Sequence, residues 1–142
     1  MKIFTAPDRQ DVHRLLAAAQ LPADDVAKLD LQHFLGCREA TRVQGIIGVE
    51  PLGDVGLLRS LVVAADARAH GYGQQLVQHL EQHAIEHGMH SLYLLTNTAE
   101  TFFARMGYAP IARDSVPAPV QATREFSQLC PHTATVMVKR LR

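Results

Sequence analysis

Tryptophan is absent from this chain of 142 residues, cysteine occurs only twice, and aromatic residues make up 6%. The two cysteines, Cys37 and Cys130, lie far apart. They match neither a disulfide-dense scaffold nor a CxxC zinc site, so a reduced cytoplasm is the expected location. Charge of one sign is not in excess either. Lysine plus arginine and aspartate plus glutamate each total 14, which leaves no global field to hold nucleic acid or an anionic membrane. No apolar run approaches the roughly 20 residues of a membrane span. The opening "MKIFTAPDRQ" has no apolar stretch of the kind a secretory leader needs. There is no internal repeat.

What is present is the composition of a soluble globular protein, 47% hydrophobic, at a length that suits one domain over residues 1–142. The elements alternate. Ile3 to Thr5 reads as a short strand, and Pro7-Asp8 starts a helix in which Val12, Leu15, Leu16 and Ala19 recur at helical spacing. Pro22 and Asp24 open a second short helix. Residues 33–63 read as three strands with turns near Arg38-Glu39 and at Pro51–Asp54. A helix runs from about Gly73 to His87, closed by Gly88. "SLYLLT" is short and apolar enough for a buried strand, and "AETFFARMGY" is a short helix ended by Gly107. Ala109 to Ala112 leaves that helix as a strand, a helix is expected from about Ala118 to Leu129, and "ATVMVKRL" alternates like an edge or hairpin strand. The order predicts an α/β domain on a mixed sheet.

The stretch "DARAHGYGQQL" at 66–76 falls between a strand and a helix. The N–H groups of a helix N-terminus attract anions, and glycines at 71 and 73 remove side chains that would keep a phosphate away. The alternative is a tight turn with Gly71 at positive φ. A dinucleotide fingerprint needs a third glycine where Leu76 stands, and a P-loop needs Gly-Lys-Ser/Thr where Gly73-Gln74-Gln75 stands. Neither nucleotide motif fits.

The wider stretch "LRSLVVAADARAHGYGQQLVQHLEQHA" resembles the acetyl-CoA-binding core of the GNAT family of N-acetyltransferases. The family signature Arg/Gln-x-x-Gly-x-Gly/Ala corresponds to Arg68-Ala69-His70-Gly71-Tyr72-Gly73, and "AETFFARMGY" resembles the family's later segment. The resemblance is good over roughly residues 55 to 112. It implies an α/β fold with a mostly antiparallel mixed sheet, flanking helices and two splayed central strands. It implies acetyl-CoA as cosubstrate, its pyrophosphate on the N–H groups of about residues 69 to 74, with Arg68 and Gln74 beside it. The pantetheine arm would pair with the backbone of Leu61, Val62 and Val63 as an added strand does. A backbone N–H of that strand would polarise the acetyl carbonyl, and an amine would attack directly.

Two departures from the family pattern bear on the chemistry. The tyrosine that commonly protonates the departing thiolate is Phe103 here, and Tyr108 reads as a packing residue. The family's asparagine position is Thr96, with Asn97 next to it as the cofactor-binding candidate. A coenzyme A thiolate leaves more readily than an amine, so the loss of one general acid, a factor of order 10² to 10⁴, weakens the chemistry without excluding it. Glu50 is the candidate general base, its alternative a solvated carboxylate at a hairpin end. Arg59, a charge in mid-strand, either holds an acidic group of the substrate or pairs with a carboxylate.

His79, His83 and His87 recur every four residues, a spacing able to bind metal. With no carboxylate or cysteine to complete the set, a solvated helix flank and no metal are expected. "CPH" at 130–132 is read as a turn rather than a nucleophile pair, and Met106 with Phe102-Phe103 as core. The stretch "VPAPVQATREFSQLCPHTATVMVKRL" looks like the arsenic-operon-associated branch of the family, linked to resistance against toxic amines. The resemblance thus implies an acetyl-CoA-dependent N-acetyltransferase acting on a small amine, an amino acid or its analogue. The alternative is a non-catalytic acyl-CoA-binding sensor. Besides the amine, a second copy of the chain in a homodimer is the partner considered.

Overall fold

The computed structural model of the chain describes residues 1–21, 23, 26–28, 30–67, 71–124, 126 and 134–142. The α/β architecture expected from the alternation of elements is present, as a mixed sheet of seven strands with flanking helices. The strands are β1 (Lys2–Thr5), β2 (Phe34–Glu39), β3 (Arg42–Leu52), β4 (Val55–Val63), β5 (Ser91–Thr96), β6 (Ala109–Pro110) and β7 (Thr135–Arg140). The helices are α1 (Arg9–Ala18), α2 (Tyr72–Glu86), α3 (Glu100–Arg105) and α4 (Ala118–Gln121). The hydrogen-bonded strand order is β1-β2-β3-β4-β5-β7-β6. Ladders β1–β2, β2–β3, β5–β7 and β6–β7 run antiparallel, and β4–β5 runs parallel. Among the described residues no helix is long and apolar enough to cross a membrane.

The chain gathers into two compact units. The first comprises Met1–Val49 and Arg59–His83. Its helix α1 starts where Asp8 accepts a hydrogen bond from the Gln10 N–H at 3.3 Å, an N-cap typically worth about 1 kcal/mol. Val12, Leu15 and Leu16, spaced i, i+3, i+4, are buried against Phe34, Val43, Ile46 and Val62. Full burial of side chains of this size contributes roughly 1.5–3 kcal/mol each, and this cluster is the unit's core. Strand β2 pairs with β3 through Glu39↔Arg42. The first hairpin turn therefore lies at Ala40-Thr41, later than the expected Arg38-Glu39, and Ala40 takes a positive φ of 54° there. The second short helix is a 3-10 turn at Val26–Lys28, and Pro22 and Asp24 lie outside the described residues.

The second unit comprises Glu50–Leu58 and Ala84–Arg142. It contains the second hairpin turn, with Gly53 at φ +78°. Its core gathers Val55, Leu57, Val116, Val120 and Val136. Gly88 at φ +84° and Gly107 at φ +97° follow α2 and α3, the left-handed C-terminal positions that glycine favours. Of the helix expected over 118–129, Ala118 to Gln121 is α-helical, Ala122 and Thr123 interrupt it, and Arg124 and Phe126 are helical again. There the Thr123 hydroxyl donates to the Val120 carbonyl at 2.7 Å, a local bond that competes with helix continuation. Residues 125 and 127–129 are outside the described set. The last strand, expected at an edge or in a hairpin, is instead interior. β7 pairs with β5 over six positions, Ser91↔Arg140 to Thr96↔Thr135, and the two-residue β6 takes the edge.

Candidate active site

Strand β4 is irregular at its centre. Ser60 has φ +62°, a left-handed conformation that costs an L-residue roughly 1–2 kcal/mol. Strain of this kind persists only where the surroundings over-determine it, and it clusters at ligand-binding and catalytic positions. The neighbouring side chain helps hold it. Arg59 is 6% exposed and its Nε donates to the Ser60 hydroxyl at 3.1 Å. After this kink Val62 turns into the α1 core while Leu61 and Val63 stay half-buried, as alternation along a strand requires. The register of β4 with β5 covers Val55, Gly56 and Leu57 opposite Ser91, Leu92 and Tyr93.

The glycine stretch follows a 3-10 turn at Ala65–Ala67. Gly71 has φ +76°, and a Cβ built there would meet nothing within 4 Å. The demand for glycine is therefore one of backbone conformation, not of space. Gly71 takes the positive φ expected of a tight turn, and a helix N-terminus follows straight after it. The Gly71 carbonyl accepts from the Gln75 N–H at 3.2 Å. That leaves the N–H groups of Tyr72, Gly73 and Gln74 as the first-turn donors a helix cannot bond within itself. Aligned peptide dipoles add partial positive charge at the same place. The phenol of Tyr72 donates to the Glu39 carboxylate at 2.7 Å, which ties the helix start to the end of β2 and raises the phenol pKa. Arg68, Ala69 and His70 lie outside the described residues.

The remaining candidates belong to the second unit. Glu50, half-buried, stands on β3 shortly before the hairpin turn. The Thr96 hydroxyl accepts from the Ala99 N–H at 3.0 Å, holding the backbone just before α3, and Asn97 between them is exposed. Phe103 is 4% exposed and meets the rings of Phe102 and Tyr108 edge-on, with centroids 5.1 and 5.6 Å apart. Tyr108, 3% exposed, packs as its position after Gly107 suggested.

Two features escaped the sequence. The kink at Ser60 has no signal in a residue of ordinary polarity beside a mid-strand arginine. Of the three histidines expected on a solvated flank, His79 and His87 are exposed, but His83 is 9% exposed and its Nε2 lies 3.2 Å from Nδ1 of His33. The partner comes from fifty residues away, beyond any helical spacing rule. His79 is exposed, with Nδ1 2.8 Å from the Gln75 carbonyl oxygen. Cys37 is fully buried and burial pushes its thiol up to about 11, which makes it an inert core residue. Cys130 and His132 are outside the described residues.

A family model described as the acetyltransferase (GNAT) family matches residues 3–108. Among solved structures the chain is similar to Rv2747 of Mycobacterium tuberculosis, solved in complex with CoA. That match has 22% identity and a TM-score of 0.86, and covers 100% of both chains. It is similar to the N-acetylglutamate synthase of Neisseria gonorrhoeae complexed with coenzyme A and N-acetyl-glutamate, at 18% identity and a TM-score of 0.82. This chain is covered over 99% there but spans only 35% of that one. An acetyltransferase of the same family from Staphylococcus aureus matches at 16% identity and a TM-score of 0.81, covering 99% of each chain. At such identities the likeness to these structures is one of fold.

Proposed function

Because the chain belongs to the acetyltransferase (GNAT) family, whose cosubstrate is acetyl-CoA, we propose that it transfers the acetyl group to a small amine, an amino acid or an amino-acid analogue. The observation that carries this reading is the pairing of two features in one unit. A strand kinked at Ser60 is followed in the chain by a helix whose first turn opens at Gly71.

In this reading the first-turn N–H groups of Tyr72, Gly73 and Gln74 hold the pyrophosphate, with Arg68, Ala69 and His70, which precede them in sequence, contributing. The backbone of Leu61, Val62 and Val63 pairs with the pantetheine arm as an added strand would. The kink re-aims a backbone N–H of β4 so that it donates to the thioester carbonyl oxygen as negative charge builds there. The amine nitrogen bonds to the carbonyl carbon and the C–S bond breaks, so the thiolate leaves. Glu50 takes the proton released by the amine, directly or through water. With phenylalanine at 103 the thiolate takes its proton from solvent, while Phe103 and Asn97 flank the pantetheine end. The buried Arg59 holds the kink through Ser60 and is also the candidate anchor for an acceptor carboxylate. The crystallised Neisseria gonorrhoeae neighbour, complexed with N-acetyl-glutamate, supports an amino-acid acceptor. The arsenic-operon-associated branch is the narrower reading, supported by the C-terminal stretch of sequence alone. A single domain over 1–142, a cytoplasmic location and a homodimer complete the proposal.

The test is thiol release from acetyl-CoA across a panel of amines and amino acids, run beside an acetyl-CoA thermal shift. Release with at least one amine, lost in Gly73→Glu, supports the transferase. A shift without release for any amine favours an acyl-CoA sensor, the reading that Phe103 and the unpolarised choice of base keep alive. No shift at millimolar acetyl-CoA sinks both.

A further inference from the structure

We propose that the side chain of Tyr72, hydrogen-bonded to Glu39, is a positioning residue for the pyrophosphate of acetyl-CoA: it fixes where the first-turn N–H groups of α2 point. The proposal rests on the reading of those groups as the pyrophosphate site. Both residues belong to the first unit. The body of α2 is anchored by Leu76, Val77 and Leu80, all fully buried. Leu76 lies close on β3, since a Cβ built on Gly45 would stand 3.1 Å from Leu76 Cδ1 and 2.9 Å from Cys37 Sγ. The first turn, residues 72–75, lies ahead of these anchors. Gly73 has no side chain there, and Gln74 and Gln75 are exposed. Tyr72, half-buried, is the residue through which that turn reaches the sheet.

The contact is built from two matching periodicities. Tyr72 and Leu76 are four apart and share one face of the helix. Cys37 and Glu39 are two apart and share one face of β2, and Cys37 borders the space where Leu76 packs. One helix face therefore meets one sheet face at two points, Leu76 beside Gly45 and Tyr72 against Glu39. The first holds the helix body, and the second, one turn earlier, holds its end. A first turn whose N–H groups have no partner within the helix otherwise frays readily. The phenol donates to the Glu39 carboxylate at 2.7 Å, the length of a charge-assisted bond. Glu39 is itself placed by the β2–β3 hairpin, where it stands opposite Arg42.

Glu39 is no ligand of the pyrophosphate. Its negative charge opposes a diphosphate rather than attracting it, so its part is to hold the phenol. The same bond raises the phenol pKa, and the tether stays protonated and closed around neutral pH. Glu39 also faces the Met1 ammonium at 3.6 Å, a contact that Tyr72→Phe leaves in place. The competing account is a bond that stabilises the fold and leaves the ligand unaffected.

The experiment titrates the full chain with acetyl-CoA by calorimetry and measures KM and kcat with an amine that supports turnover. Melting temperature without ligand is followed in parallel. The proteins compared are the parent, Tyr72→Phe, Glu39→Gln, Glu39→Ala and the double variant Tyr72→Phe/Glu39→Ala. Tyr72→Phe should raise Kd and KM for acetyl-CoA by ~3–10-fold while kcat holds. Glu39→Gln and Glu39→Ala lose the same charge, but only the amide oxygen of glutamine still accepts from the phenol. Glu39→Gln should therefore bind acetyl-CoA more tightly than Glu39→Ala, by ~3-fold or more. With Glu39→Ala already in place, Tyr72→Phe should cost no further affinity, because both changes remove one interaction. Equal affinity in the parent and Tyr72→Phe overturns the proposal. So does a melting temperature that falls in Tyr72→Phe with KM unmoved, which identifies a bond of the fold alone. A loss from Tyr72→Phe that is just as large in the Glu39→Ala background overturns it too. A parent that fails to bind acetyl-CoA sinks the reading of the site and this proposal together, a result distinct from a parent and a Tyr72→Phe variant that bind equally.

Discussion

Replacing Ser60 separates backbone strain from hydrogen bonding at the centre of β4. Ser60→Ala keeps a side chain at φ +62° and deletes the hydroxyl that Arg59 Nε reaches at 3.1 Å. A hydrogen bond to a charged group contributes about 1.5–3 kcal/mol, and Arg59, only 6% exposed, has little water to replace it. Ser60→Gly deletes the same bond but relieves the left-handed penalty of roughly 1–2 kcal/mol. Glycine's extra freedom in the unfolded chain takes back roughly 0.5–1 kcal/mol. Both variants should be less stable than the parent, with glycine above alanine by about 1 kcal/mol, or about 3 °C in melting temperature for a chain of this size. Urea unfolding of the three proteins measures the difference directly. Turnover should run the other way, because a glycine no longer fixes the direction of the backbone N–H assigned to the thioester carbonyl. Alanine at or above glycine in stability would refute the strain argument, and full activity in the glycine variant would remove the kink from the mechanism.

Gly73→Glu places a carboxylate in the first turn of α2, where the helix dipole welcomes it by about 0.3–1 kcal/mol. The fold should survive and the acetyl-CoA thermal shift should vanish. Phe103→Tyr adds a hydroxyl at a position 4% exposed. If it finds no partner the melting temperature drops by the equivalent of roughly 1–3 kcal/mol, whereas a hydroxyl aimed at the thiolate raises turnover ~10-fold at high pH. Measuring both on one sample distinguishes the outcomes. Cys37, raised from 9.0 to about 11 by burial, keeps its proton in the folded chain over a range in which the unfolded chain loses it. That contribution to stability is complete below pH 9 and is lost as pH climbs towards 11. Melting temperature should accordingly fall more steeply over pH 9–11 in the parent than in Cys37→Ala, and parallel slopes would contradict the assignment.

The sequence disclosed what local chemistry governs. Asp8 followed by Val12, Leu15 and Leu16 announces α1 because a cap and a 3.6-residue stripe are both local signals. The Gly71 turn was legible for the same reason, since only glycine takes φ +76° without strain. What stayed hidden depends on residues distant in the chain. The place of β7 between β5 and β6 is set by pairing with residues 91–96, which alternation in "ATVMVKRL" cannot specify. His33 meets His83 only because the 3-10 turn before β2 lies near the end of α2. The Ser60 kink is the opposite case, a local feature with no local signature, because serine is a poor occupant of the conformation it adopts.

The interior position of β7 sets an order on assembly. The side of β5 that β7 will cover presents a row of bare N–H and C=O groups until residues 135–140, separated from it in sequence by residues 97–134, have been made and have paired with it. Closing so long a loop is slow compared with forming helices or hairpins. A ribosome paused in that interval, or a chain cut before Thr135, carries an open strand edge of the kind that recruits other chains. For this protein the hazard of aggregation is therefore concentrated in the interval before residues 135–140 are in place, and a product cut before Thr135 should be found in the insoluble fraction rather than as a partly active enzyme.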